Sequence, residues 1–211
     1  MLSFLVYSQS QAILSWKIQK GLEALTGPGV KIEGLRFKNR PGLRAMESVR
    51  IAKIQIKNPS DFNQTFLAEA TDIQFKIDFL RLLAGQWRIA DLQVPIDRIN
   101  LEINSRAELN LGMLGALQKK ALQATPGPHF FHVQKMEFRI GTVYFYDARD
   151  AKNLIVEHYD FAGRMGMYLS LRRPEILVQA LVLQLLYQLN KGSFGLPQDK
   201  IQEAVASFSK I

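Results

Sequence analysis

One arrangement of apolar and polar positions recurs along the chain. Arg88–Val94 reads RIADLQV and Arg50–Ile56 reads RIAKIQI; looser versions are KIEGLRF at Lys31–Phe37 and HVQKMEF at His132–Phe138. Each has a basic residue or His, an apolar residue, two of any kind, an apolar, one of any kind, and an apolar. In a strand, side chains two apart share a face, as Leu92 and Val94 do. Ile89 and Leu92 are three apart, so a regular strand sends them to opposite faces. A β-bulge between them returns both to one side and sharpens the twist. The pattern therefore predicts a curved, antiparallel sheet with a bulge in at least two of the four copies.

Taken in order, the periodicity predicts an amphipathic helix over Leu2–Leu25, with Leu14, Ile18, Leu22 and Leu25 on one stripe. Thr26-Gly27-Pro28-Gly29 stops it. Strands follow at Val30–Phe37 and Ser48–Lys57, the second ended by Asn58-Pro59. Thr65–Leu80 alternates cleanly, with Ile73, Phe75, Ile77 and Phe79 on a dry face and Asp72, Gln74, Lys76 and Asp78 on a wet one. A short turn of helix at Leu80–Gly85 leads to a strand at Gln86–Val94, interrupted by Pro95, and then to alternation through Ile99, Leu101 and Ile103. Glu108–Ala124 switches to helical spacing. Further strands are expected at His132–Ile140 and Thr142–Tyr146, split by Gly141, then at Lys152–Phe161 and Met167–Leu171 after a loose passage. Pro174 opens a helix whose core, Ile176–Leu189, carries no charge, and Pro197 opens a last amphipathic one. Short connections favour antiparallel neighbours throughout.

The fold class is thus α+β: a curved, bulged, mainly antiparallel sheet of groove-like, taco-like form, with an N-terminal amphipathic helix, a mid-chain helix and C-terminal helices. The divisions are residues 1–26, a membrane-proximal helix; 27–172, the sheet domain with helix 108–124; and 173–211, a helical segment. At 211 residues the chain is long enough for one real core.

Charge and missing chemistry narrow the function. A net charge of +8 and a pI near 9.7 favour an anionic partner. Zero Cys excludes disulfides and thiolate chemistry. There is no phosphate-cradling glycine loop, serine elbow or HExxH. His129 and His132, three apart beside a strand, point to opposite faces, and His158 stands elsewhere, so no metal or other cofactor is expected. Asp147, Asp150, Glu157 and Asp160 lie at hairpin ends without pairing into an acid and a base. Tyr144, Phe145, Tyr146 and Tyr159 alternate as strand residues do, and no nucleic-acid signature accompanies them. An enzyme is not expected, nor a nucleic-acid partner.

Several elements, in order and spacing, carry a resemblance. They are GLEALTGPGVKIEGLRF, RIAKIQIKNPSDF, LAEATDIQFKIDFLRLLAGQWRIADLQVPIDRINLEIN, and AELNLGML with its Asn110. Residues from about Gly21 to Leu114 resemble the AsmA-like family of bacterial envelope proteins, relatives of the TamB and bridge-like lipid-transfer group. The resemblance implies a membrane-associated protein at the periplasmic face, whose curved sheet offers an apolar concave face to phospholipid chains. Family members usually begin with a transmembrane helix, whereas the apolar Met1–Tyr7 is far shorter than the ~20 residues that span a bilayer.

Two functions remain. In the first, Ile73, Phe75, Ile77, Phe79, Leu92, Val94, Leu101 and Ile103 line a lipid groove. In the second, the same sheet is packed dry in a structural subunit of a membrane complex, as a homo- or hetero-oligomer. In either, Leu2, Phe4, Leu5, Leu181 and Leu185 are the expected contacts to membrane or protein partner.

Overall fold

The computed structural model describes residues 15–20, 29–37, 46–111, 131–150 and 154–172, the side chains of 162–165 excepted. The strands are β1 (Val30–Phe37), β2 (Met46–Lys57), β3 (Phe66–Asp78), β4 (Trp87–Ile103), β5 (Phe131–Asp147) and β6 (Ile155–Leu171). A short helix, α1 (Phe79–Leu83), joins β3 to β4, and residues 15–20 are helical. Together the strands form one open, curved, six-stranded sheet in sequence order.

The three-residue apolar spacing keeps one face dry, but by more than one means. Ile32 and Leu35, Ile51 and Ile54, Ile89 and Leu92, and Val133 and Met136 all pack into one hydrophobic core. Only in β4 does a bulge achieve this: the register against β3 shifts between Lys76–Asp91 and Ile77–Ile89, leaving Ala90 as the extra residue. The expectation of bulges in two copies is corrected. In the other copies the pairing stays in register; a left-handed residue lies within the copy itself only in β1, while for β2 and β5 it lies on a neighbouring strand, opposite the middle of the copy. Gly34 (φ 67°) lies opposite Ala52, which lies opposite Asp72 (φ 54°); Ser170 (φ 57°) lies opposite Gln134. A Cβ on Gly34 would sit 2.6 Å from that of Ala52, so glycine serves there both conformation and space.

The apolar spacing also explains how the copies pair. Positions two and five of the pattern are interchangeable on reversal, so the copies in β1 and β2 match antiparallel, Ile32 against Ile54 and Leu35 against Ile51. The copies in β4 and β5 match parallel, with Ile89 against Val133, Leu92 against Met136 and Val94 against Phe138. That parallel pair corrects the expectation of antiparallel neighbours throughout; the other pairings are antiparallel. A parallel pair requires a crossover of about a dozen residues or more, and the passage from Ile103 to Phe131 supplies it.

The interruptions expected at Pro95 and Gly141 do not end their strands. Pro95 lies inside β4, at a register irregularity against β3 between Ala70–Ile96 and Gln74–Gln93, while it stays paired with Arg139 of β5. Gly141 lies inside β5, where any Cβ would meet the Asp97 carbonyl oxygen at 2.6 Å. Likewise β6 runs unbroken through the passage expected to be loose, with a register shift against β5 between Ile140 and Thr142.

Of the expected helix 108–124, Leu109 forms a bridge to Ile103 and residues 112–124 lie outside the described residues. The helices expected after Pro174 and after Pro197, and residues 1–14 and 21–25 of the N-terminal helix, lie outside them too. Within residues 15–20, Ile18 has no exposed surface and belongs to the sheet's core, and Lys17 Nζ donates to the Leu83 carbonyl at 2.9 Å. This segment therefore packs on the apolar face beside α1.

Candidate functional site

Strands β1 to β5 send most of their apolar residues to one face, where the expected groove residues gather; β6 also exposes Ile155, Val156, Met167 and Leu169. Ile73, Phe75, Ile77, Leu101 and Ile103 are buried in the chain's own core. Phe79, Leu92 and Val94 are half-buried at its margin, joined by Ile96 of β4 and by Ile32, Leu35 and Phe37 of β1. Alkyl surface of this kind binds other alkyl surface without direction and in proportion to the area removed from water. Leu2, Phe4, Leu5, Leu181 and Leu185 lie outside the described residues.

The opposite face is polar. Ion pairs cross or run along its strands: Lys31 with Glu33, Arg50 with Asp72, Lys53 with Glu69, and Lys135 with Glu137. Lys53 and then Gln55 donate to Glu69 and hold its carboxyl below the usual range. Solvent screens pairs at the surface like these, so they add little to stability.

Toward the α1 end of this face lies a depression of about 460 Å³, lined by Arg36, Ser48, Arg50, Gln74, Lys76, Asp91 and Gln93 among others. Register assembles it: Arg36 lies opposite Arg50, Ser48 opposite Lys76, and Lys76 opposite Asp91. Among the described residues, no ion pair engages Arg36 or Lys76. Asp91 Oδ1 is buried without a hydrogen-bond partner. Nothing linear in the sequence marks this site, because its cations come from separate strands and only pairing brings them together.

The far end of the sheet is closed by a polar knot. Glu102 is fully buried, and its carboxylate accepts the backbone N–H of Asn63 at 2.7 Å and of Gln64 at 2.8 Å. Asn110 accepts from the Glu102 N–H at 3.0 Å and donates to the Asn100 carbonyl at 2.8 Å and to Asn58 Oδ1 at 3.1 Å. Asn100 donates to the Phe66 carbonyl at 2.8 Å, and Asn58 to that of Gln64 at 2.8 Å. Asn58 and Asn110 thus meet across the sequence as structural partners.

The titratable residues singled out from sequence stand apart. His158 stacks on Tyr144 at 6.0 Å, and His132 lies 3.5 Å from Ser170 Oγ; His129 lies outside the described residues. Burial, then Arg172 and Arg88, hold the His132 imidazole below its ordinary pKa. Asp147 is paired with Arg149, and the Tyr159 hydroxyl donates to Glu157. Asp150 and Asp160 also have partners. Among the described residues there is no group of three metal-ligating side chains, and no helix long and apolar enough to cross a membrane. Comparison with family models, curated proteins and solved structures finds no match for this chain.

Proposed function

We propose that the chain is a non-enzymatic envelope protein that binds or transfers phospholipid acyl chains against the apolar face of its sheet, at the periplasmic side of a bacterial membrane. The observation that carries this reading is the continuity of that face. Each of the six strands contributes to it, and every three-residue step in the pattern is absorbed so that the face never changes side. The half-buried strip through Leu92, Val94 and Ile96 is where an alkyl chain meets it with least rearrangement. At ~0.8 kcal/mol per buried CH₂, a sixteen-carbon chain contributes on the order of 10 kcal/mol gross. The resemblance to AsmA-like proteins supports the same reading, and the pairing of Asn58 with Asn110 gives two of its residues a physical role.

A second reading, a structural subunit of a membrane complex, draws on a specific observation. Ile73, Ile77, Leu101 and Ile103 are already inside the chain's own core, as dry packing requires. Native mass spectrometry of the gently purified full chain, with lipid extraction, separates the two. Phospholipid retained at a defined stoichiometry, and reduced by Val94→Asp, is expected. A lipid-free mass together with a stable hetero-assembly would overturn the lipid reading in favour of the subunit.

A further inference from the structure

Large apolar side chains are exposed at the α1 end of the sheet. Leu80 and Leu83 of α1 are 54% and 42% exposed, Trp16 60% and Met46 39%. Leu80 and Leu83, three apart, share one side of the helix, while Leu82 between them is buried. The hydrogen bond from Lys17 to the Leu83 carbonyl ties the segment that carries Trp16 to the end of α1. Met46 pairs with Asp78, whose carboxylate caps α1 by accepting the Arg81 N–H at 3.0 Å. These side chains form an apolar rim flanked by Lys17 and Arg81.

Behind the rim lies the cationic depression. Met46, Ser48 and Arg50 lie on one face of β2, so Ser48 and its partner Lys76 stand ~7 Å behind Met46, and Arg50 with its partner Arg36 ~13 Å behind. Interfacial apolar side chains sink ~5–10 Å into the boundary between headgroups and acyl chains, and the headgroup layer adds ~5–8 Å per leaflet. A rim seated at that boundary therefore puts Lys76, Arg50 and Arg36 among the phosphates. Trp is suited to this depth, with an apolar ring and a polar N–H.

We infer that the α1 end of the sheet docks on an anionic phospholipid surface, with Trp16, Met46, Leu80 and Leu83 in the acyl boundary and the depression formed by Arg36, Arg50 and Lys76 taking a headgroup phosphate. The inference rests on the membrane part of the function proposed above and adds which end faces the bilayer and which residues hold it. It requires no lipid in the groove.

The test is flotation of the full chain with vesicles of phosphatidylcholine alone and of equal parts phosphatidylcholine and phosphatidylglycerol. Binding to the anionic vesicles is expected, weakened at least tenfold by Leu80→Ser with Leu83→Ser. Arg36→Gln with Lys76→Gln removes two cations at about fivefold each, or about thirtyfold together. Circular dichroism establishes that each variant is folded. A second readout needs no change at the rim: in Trp87→Phe, Trp16 is the sole tryptophan, and brominated acyl chains should quench it. Absence of anionic binding, or binding indifferent to the leucine pair with Trp16 unquenched, overturns the inference. So does a dimer that the leucine pair dissolves without any vesicle binding, which assigns the rim to a second copy. Vesicle binding without co-purified lipid supports this inference while counting against the groove, so the two proposals fail separately.

Discussion

The two ends of the sheet differ most in how they treat polar groups. At the knot end, polar groups are inside and satisfied: Glu102 and Asn110 are buried, and each makes several hydrogen bonds. At the α1 end, Arg36 and Lys76 stand exposed without ion-pair partners among the described residues, beside exposed Leu80 and Leu83. The exposed apolar residues of the knot end, Leu154, Ile155 and Val156, lie instead at the start of the edge strand β6. Burying polar groups is tolerable only when all are paired, since an orphaned donor costs more than its bond contributes. Exposing large apolar groups in a cluster has no folding benefit and marks contact with something else. The difference assigns stability to one end and encounter to the other.

The sharpest way to break this comparison is at Glu102. Glu102→Ala leaves the Asn63 and Gln64 amides without their acceptor, and a loss of about 3 kcal/mol is expected from two unsatisfied donors. Urea unfolding measures it; a loss under about 1 kcal/mol would mean that water replaces the carboxylate and that the knot does not hold this end. Between the ends, Gly34 tests the fold of the face itself. Gly34→Ala forces a left-handed residue with a Cβ against that of Ala52, at a cost of about 2 kcal/mol. Adding Ala52→Gly should recover only part of it, because the contact is relieved and the backbone strain is not.

The repeated pattern makes the single dry face legible in the sequence, because period and spacing are properties of the chain alone. How each strand keeps that face is not legible there. An inserted residue and a left-handed residue leave the same apolar spacing, and Asp72 and Ser170 give no compositional hint of positive φ. The parallel pairing of β4 with β5 escapes the sequence for two reasons: the pattern matches in both directions, and the preference for antiparallel neighbours holds for short connections, not for the long passage between these strands. The knot is half visible. Asn58 and Asn110 stand out through the resemblance, but Asn100 and Glu102 look like the wet side of an ordinary strand. The cationic depression leaves no linear trace at all.

The two ends should also respond to different acid ranges. At the α1 end, His132 has a lowered pKa, from burial first and then Arg172 and Arg88. The folded state binds its proton less readily than the unfolded chain, so stability present above the ordinary value of 6.5 is lost as pH falls from there through the folded pKa. At the knot end, Arg149 holds the Asp147 carboxyl below its ordinary 3.8, so that contribution persists above 3.8 and disappears only in stronger acid. Unfolding midpoints measured against pH should show a decline below 6.5 that His132→Asn removes, and a separate decline in stronger acid, shared with Glu69, that Asp147→Asn reduces below 3.8. A single transition shared by both variants would mean that the ends titrate as one unit.

The smallest expected effect concerns the rim. Leu80→Ser with Leu83→Ser removes apolar surface that already faces water, so the folded and unfolded states lose similar contacts. Surface changes of this kind alter stability by about 0.5 kcal/mol or less. Leu82, buried at 2% exposure between them, shows that α1 is anchored by a different side chain. The same double variant is expected to weaken vesicle binding at least tenfold, so its two readouts should separate. If urea unfolding instead reports a loss of about 2 kcal/mol, as a buried leucine would give, the two leucines belong to the core of the α1 end, and the contrast between an end that stabilises and an end that meets the bilayer no longer holds.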